Sequence, residues 1–260
     1  MGCWAMARVT VRRTEGSWTA GSASATAPIR RPLARRTRPH AASGRPCDPS
    51  VVADPSDVAL AHAAKADPRI GAFIDRAGAP EPRPRQGDPL ASLARAIVFQ
   101  QLATRAASAI PARFVTAIGG EVTAAAILAT APEVLRAAGL STAKTRSLLD
   151  LAQKVSDGSV PLDDLEPLSD DEIVERLTTV RGIGRWTAEM FLLFELRRPD
   201  VWPVDDLGVR HGWRLIHEQD ELLAPKALLA AGDVFRPYRS AVALLCYHAV
   251  HVARGTSPAP

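Results

Sequence analysis

The sequence predicts an all-α domain of roughly ten short helices, with few or no strands. Three observations carry that expectation. From Asp54 onward apolar residues recur at helical spacing, the runs are separated by Pro, Gly and Asp punctuation, and no segment sustains the strict alternation of a strand.

Residues 1–50 fall outside the pattern. Their segment "GSASATAPIRRPLARRTRPHAASGRP" mixes Arg, Ser, Pro and Ala, too polar to order itself around a core. A disordered basic tail over 1–50 is therefore expected ahead of one helical domain over 51–260. "DPSDVALAHAAKAD" and "DPRIGAFIDRAG" each open on Asp followed by Pro, a pair suited to the N-cap and first helical position. "GDPLASLARAIVFQQLATRAASAIPARFVTAIGG" then predicts a helix from Pro89 to about Gln100 and a second ending at Gly119 and Gly120. Further helical runs are predicted at 123–129, 132–138, 142–156, 170–178, 185–196, 207–218, 224–232 and 239–252.

A chain of 260 residues can bury the core of one compact enzyme. Its net charge of +4 is unevenly placed: residues 1–50 hold nine Arg against Glu15 and Asp48, a net of +7, which leaves −3 for the rest. Overall basicity thus says little about DNA, and only local clusters count. Cys3, Cys47 and Cys246 are too scattered for a disulfide framework, a zinc site or an iron–sulfur quartet, which points to a reducing cytoplasm. The run "AVALLC" is far too short to span a bilayer and the N-terminus lacks the apolar stretch of a signal peptide. A monomeric cytoplasmic protein with no membrane partner is the expectation.

Between two apolar helical runs lies "VRGIGRWTAEMFLLF", Val180 to Phe194. Gly182 and Gly184 relieve the backbone of its usual steric limits, so a tight hairpin can join the helices. Backbone N–H groups of such a turn, at a helix start, converge on an anion. Gly182, Ile183, Gly184 and Arg185 are the candidate phosphate clamp, although a plain helical turn is built from the same residues. Further on, "WPVDDLGVRHGW" places two carboxylates before a helix start, where either Asp205 or Asp206 could serve simply as a cap.

"LTTVRGIGRWTAEMFLLF" resembles the helix-hairpin-helix of the DNA glycosylases, and "WPVDDLGVRHGW" resembles that superfamily's segment bearing its essential aspartate. Upstream, "ARAIVFQQLATRAASAI" looks like the segment of the strand-invading wedge; downstream, "RPYRSAVALLCYHAV" is similar to the helix that closes the base pocket. The resemblance spans about residues 55–253 and is greatest to the alkylpurine, or 3-methyladenine type II, glycosylases. It implies a helix-hairpin-helix glycosylase fold acting on double-stranded DNA that contains alkylated bases.

The resemblance favours Asp206 as the catalytic carboxylate, three positions before Val209, and leaves Asp205 as the cap or loop-holding residue. A fixed carboxylate stabilises the positive charge that develops on the sugar as the base departs and can orient the attacking water. Relatives that also cut the strand carry a Schiff-base lysine two residues after the second hairpin glycine; here Trp186 stands there and cannot form an imine. A monofunctional enzyme is implied. Alkylated purines are cationic, and an aromatic wall favours them; Trp186, Trp202 and Tyr247 are its candidates, although for any single one of them the residues alone favour ordinary core packing. Tyr247 replaces a tryptophan common among relatives, which leaves selectivity for charged bases open. Flipping a base needs a filler for the gap, and the resemblance assigns that to Gln101 with Leu102 beside it. Arg181, Arg185, Arg210 and Arg239 could add phosphate contacts. Related hairpins hold a monovalent cation, Na or K, on backbone carbonyls, which here implies those of Thr178 and Val180; no other cofactor is required. His211, His217, His248 and His251 lack zinc-site spacing with an acidic partner. A helix-hairpin-helix protein without catalysis, and a glycosylase for mismatched or oxidised bases, remain the alternatives.

Overall fold

Asp67 and Asp88 show why the chain turns helical where it does. Each is an extended N-cap before a proline, and each carboxylate accepts the backbone N–H two or three residues on, from Arg69 at 2.8 Å and Ala91 at 2.9 Å. The computed structural model describes residues 55–80, 87–100 and 109–255. The expected tail over 1–50 and the wedge candidates Gln101 and Leu102 lie outside them.

Twelve α-helices occur among the described residues, without a strand. They are α1 (Pro55–Ala66), α2 (Pro68–Ala77), α3 (Pro89–Phe99), α4 (Ala109–Ala117), α5 (Ala124–Ala129), α6 (Pro132–Ala137), α7 (Thr142–Ser156), α8 (Asp170–Thr178), α9 (Arg185–Phe194), α10 (Leu207–Ile216), α11 (Pro225–Ala231) and α12 (Arg239–Ala253). A 3-10 turn at Asp233–Phe235 precedes α12.

The helices pack in two groups. α10 lies along α12 with α1 and α2 beside them, α7 gathers α3, α5 and α6, and α9 reaches from its hairpin partner α8 to α3. One apolar core runs through both groups, from Ile70 and Leu93 through Leu148 and Leu177 to Val209 and Leu245. The α10–α12 approach needs a missing side chain: a Cβ on Gly212 would stand 2.0 Å from the carbonyl oxygen of Cys246.

The segment between α9 and α10 is tied down before it reaches Asp206. Asp200 accepts Arg239 Nε at 2.7 Å and Nη2 at 2.9 Å, and Ser240 Oγ accepts the Val201 N–H at 2.9 Å while donating to the Arg198 carbonyl at 2.6 Å. Trp202 is 6% exposed, donates its indole N–H to the Leu228 carbonyl at 2.9 Å and meets Trp213 edge-on at 5.9 Å. These contacts set where α10 begins.

Candidate active site

Asp206 is the N-cap of α10, and it is buried, with 7% of its surface exposed. Its Oδ1 accepts the Val209 N–H at 2.8 Å and its Oδ2 accepts the Trp186 indole N–H at 2.7 Å. Both oxygens are thereby fixed, one by α10 and one by α9. The expectation that Asp205 would cap the helix is corrected: Asp206 does, and Asp205 is an exposed turn residue. One carboxylate thus caps the start of α10 and takes the indole of α9 at once.

Around it stand residues from three helices. Trp186 is partly buried on α9; Tyr247 of α12 lies against the first turn of α10, its Cε1 only 2.7 Å from where a Gly208 Cβ would be. The Tyr247 hydroxyl donates to Met190 Sδ at 3.3 Å, and its ring tilts against Phe194 at 5.7 Å. Trp202 does not join them. Its indole is bound in the core described above, so its assignment to the base wall is corrected to an anchor of the segment that delivers Asp206. Trp213 is core as well, stacked on His217 at 3.8 Å. Burial pushes the Cys246 thiol upward, and the charge of Asp206 adds to it, so this cysteine is no nucleophile.

The hairpin is held from outside. Gly182 has φ +78°, and a Cβ there would meet Ser147 Oγ of α7 at 2.4 Å. Its carbonyl accepts Gln100 Nε2 at 2.9 Å. Asp150 accepts the Arg181 N–H at 2.7 Å and pairs at 3.3 Å with Lys154, whose ammonium donates to the Thr179 carbonyl. Lys144, its ammonium pushed toward neutrality by burial, donates to the Val98 carbonyl at 2.7 Å.

Two details revise the expected clamp. The Ile183 N–H donates to the Val180 carbonyl at 3.1 Å and the Ile183 side chain is buried, so this residue shapes the turn and its N–H is not offered to phosphate. Gly184 is extended, at φ −94° and ψ 173°, and so needs no glycine for its backbone; space around it is open, and no side chain caps α9. The open anion site is the first turn of α9, starting from exposed Gly184 and Arg185.

The arginines divide. Arg185 is two-thirds exposed at the mouth of this turn, with Nε 3.0 Å from Glu189 Oε1 and Nη2 3.9 Å from Asp171. Arg239 is buried on Asp200, and Arg210 Nε donates to the Leu223 carbonyl at 3.0 Å, so both are corrected from phosphate ligands to structural ties. Thr178 and Val180 flank the carbonyl that takes the Lys154 ammonium, and the Val180 carbonyl already accepts the turn N–H; a Na or K there would sit beside a resident positive charge. No cluster of metal-ligating side chains occurs among the described residues.

Glu189 is a site residue that no motif in the sequence marks. It stands three residues after Trp186 and four after Arg185, one helical face, and that spacing was the available signal. Gln100 was also missed, because the amide assigned a role was its neighbour.

An uncapped helix start that opens from a hairpin, beside a buried carboxylate that an indole holds, is the arrangement of a helix-hairpin-helix protein of base-excision repair. The chain belongs to the HhH-GPD superfamily of base excision DNA repair proteins, whose pattern residues 94–233 match. It is 36% identical over 174 residues to DNA-3-methyladenine glycosylase 1 of Schizosaccharomyces pombe, covering 66% of this chain and 76% of that protein. The solved S. pombe 3-methyladenine DNA glycosylase in complex with abasic DNA superposes with a TM-score of 0.65 at 34% identity, over 73% of this chain and 95% of that one. A DNA-3-methyladenine glycosidase from Bacillus halodurans gives a TM-score of 0.67 at 32% identity, over 78% and 93%.

Proposed function

We propose that the chain is a monofunctional DNA glycosylase that hydrolyses the N-glycosidic bond of alkylated purines, of the 3-methyladenine and 7-methylguanine type, in duplex DNA. The observation that carries this reading is Asp206: a buried carboxylate whose oxygens are fixed at 2.8 Å by Val209 and 2.7 Å by Trp186, beside an uncapped helix start. The first turn of α9 takes a backbone phosphate of the damaged strand. With the base turned out between Trp186 and Tyr247, the Asp206 carboxylate faces the positive charge growing on the sugar and orients the water that replaces the base. Aromatic faces attract a cationic base by about 0.5 to 2 kcal/mol each.

The hydrolytic outcome follows from the lysines. Trp186 occupies the position at which strand-cutting relatives carry theirs; Lys144 and Lys154 of α7 are tied to the carbonyls of Val98 and Thr179, Lys65 lies in the last turn of α1, and Lys226 in the first turn of α11. An abasic site with its strand intact is the product. The protein acts as a monomer and needs no redox or nucleotide cofactor. A monovalent cation on Thr178 and Val180 remains part of this reading, although the charge of Lys154 works against it, and no step depends on it. Release of methylated purines from alkylated duplex, with the bases identified chromatographically, tests the proposal; an active parent and an inactive Asp206→Asn are expected. A parent that binds duplex but releases no base would leave only a binding module.

A further inference from the structure

Glu189 is a second acid at the site, with 14% of its side chain exposed and one cationic partner, Arg185, at 3.0 Å. Four charged groups stand around it: Arg185 on its own helix, Asp171 of α8 on the far side of that guanidinium at 3.9 Å, and Asp205 and Asp206 at the entrance to α10. The other helices packed on α9 turn elsewhere; Arg95 of α3 faces Glu195, and α12 presents Tyr247 to Met190. Burial pushes the Glu189 carboxyl up, Arg185 draws it back by its charge and its hydrogen bond, and Asp205 and Asp206 push it up again. Among the described residues Arg185 is therefore the group that opposes protonation, and its guanidinium is also the exposed one at the first turn of α9.

We infer that Glu189 takes up a proton from solvent when a DNA phosphate draws Arg185 away from it, so that duplex binding is linked to protonation of this carboxylate. The inference rests on the first turn of α9 being the phosphate clamp. Arg185 exchanges a carboxylate oxygen for a phosphate oxygen, and Glu189 gains one O–H bond; nothing else is made or broken. The loaded site then carries one negative charge fewer beside Asp205 and Asp206. Glu189 acts through Arg185 and the charge balance, as a positioning residue.

The test uses the full chain and a duplex carrying an uncleavable abasic-site analogue at fixed salt. Calorimetric titration in two buffers of different ionisation enthalpy counts protons, and affinity is followed from about pH 5.5 to 8. The parent is expected to take up a proton, its affinity falling by up to about tenfold per pH unit across the linkage range. Glu189→Gln, which keeps size and hydrogen bonding, should lose that part of the slope and bind at high pH at least as tightly as the parent. Arg185→Ala should bind more weakly with a smaller slope. Equal proton uptake by the parent and Glu189→Gln overturns the inference and leaves the clamp standing. No duplex binding by the parent overturns the clamp and this inference together.

Discussion

At the scale of the residue, Asp206 has two tasks that substitution can separate. Asparagine keeps a side-chain oxygen for the Val209 N–H and is as good an N-cap as aspartate, but its amide nitrogen cannot accept the Trp186 indole N–H, so Asp206→Asn should fold and lose about 1 to 3 kcal/mol of stability. Base release should nevertheless fall by about two orders of magnitude or more, because the charge facing the sugar is gone. Single-turnover assays beside thermal melts separate the two, and parental rates in the variant would remove Asp206 from the chemistry. Trp186 supports the same carboxylate through a 2.7 Å bond. Trp186→Phe keeps an aromatic face without the donor, and an activity loss of roughly tenfold is expected, in line with one hydrogen bond to a charged group. Borohydride should trap no adduct with parent or variant, since no lysine occupies position 186.

At the scale of the element, the two hairpin glycines should behave oppositely. Gly182 combines φ +78° with a Ser147 contact, so Gly182→Ala should destabilise the domain by about 1 to 3 kcal/mol, read as a lower melting temperature. Gly184 is extended with open space around it, and Gly184→Ala should melt like the parent. Gly184→Asp places a negative charge at the first turn of α9 and should weaken binding to damaged and undamaged duplex alike, because phosphate contacts carry no lesion information. Tight binding of undamaged duplex by folded Gly184→Asp at the same salt would reduce the hairpin to a structural turn.

For the whole molecule, the approach to the site depends on a part-buried ion pair that ties Asp200, on the segment leading to Asp206, to Arg239 at the start of α12. Burial pushes the Asp200 carboxyl up, but the Arg239 side chain and N–H, with the charges of Arg239 and Arg236, outweigh that and hold it below the usual carboxylate value. Its stabilising contribution is therefore complete above the unfolded value near pH 4 and is lost as pH falls through the lower folded value. Asp200→Asn leaves Arg239 buried without its charge partner and should lower stability at neutral pH by about 2 to 4 kcal/mol. Its melting temperature should also fall less steeply than the parent's between about pH 5 and pH 3. An identical acid profile in parent and variant would show that other carboxylates govern acid unfolding, Asp67 among them, since its bond to His217 also holds it low.

What the sequence determined by itself was local or nearly so. Helix starts at Asp67 and Asp88 follow from caps that act within three residues, the all-α class from apolar periodicity, and the hairpin from two glycines between helical runs. Asp206 stood out through the family resemblance of its segment, but the cap was assigned one residue away, to Asp205, and the structure gives it to Asp206. Only the tertiary structure decided which aromatics meet it. Trp186 and Trp202 look alike in the sequence, yet one indole reaches Asp206 across 20 residues and the other a core carbonyl across 26. Glu189, too, is an ordinary helix-face acid until α10 brings Asp205 and Asp206 against it. The physical reason is range: capping and periodicity act within a turn or two of chain, whereas burial and charge depend on packing between segments distant in sequence, here the close approach of α10 to α12 that Gly212 permits.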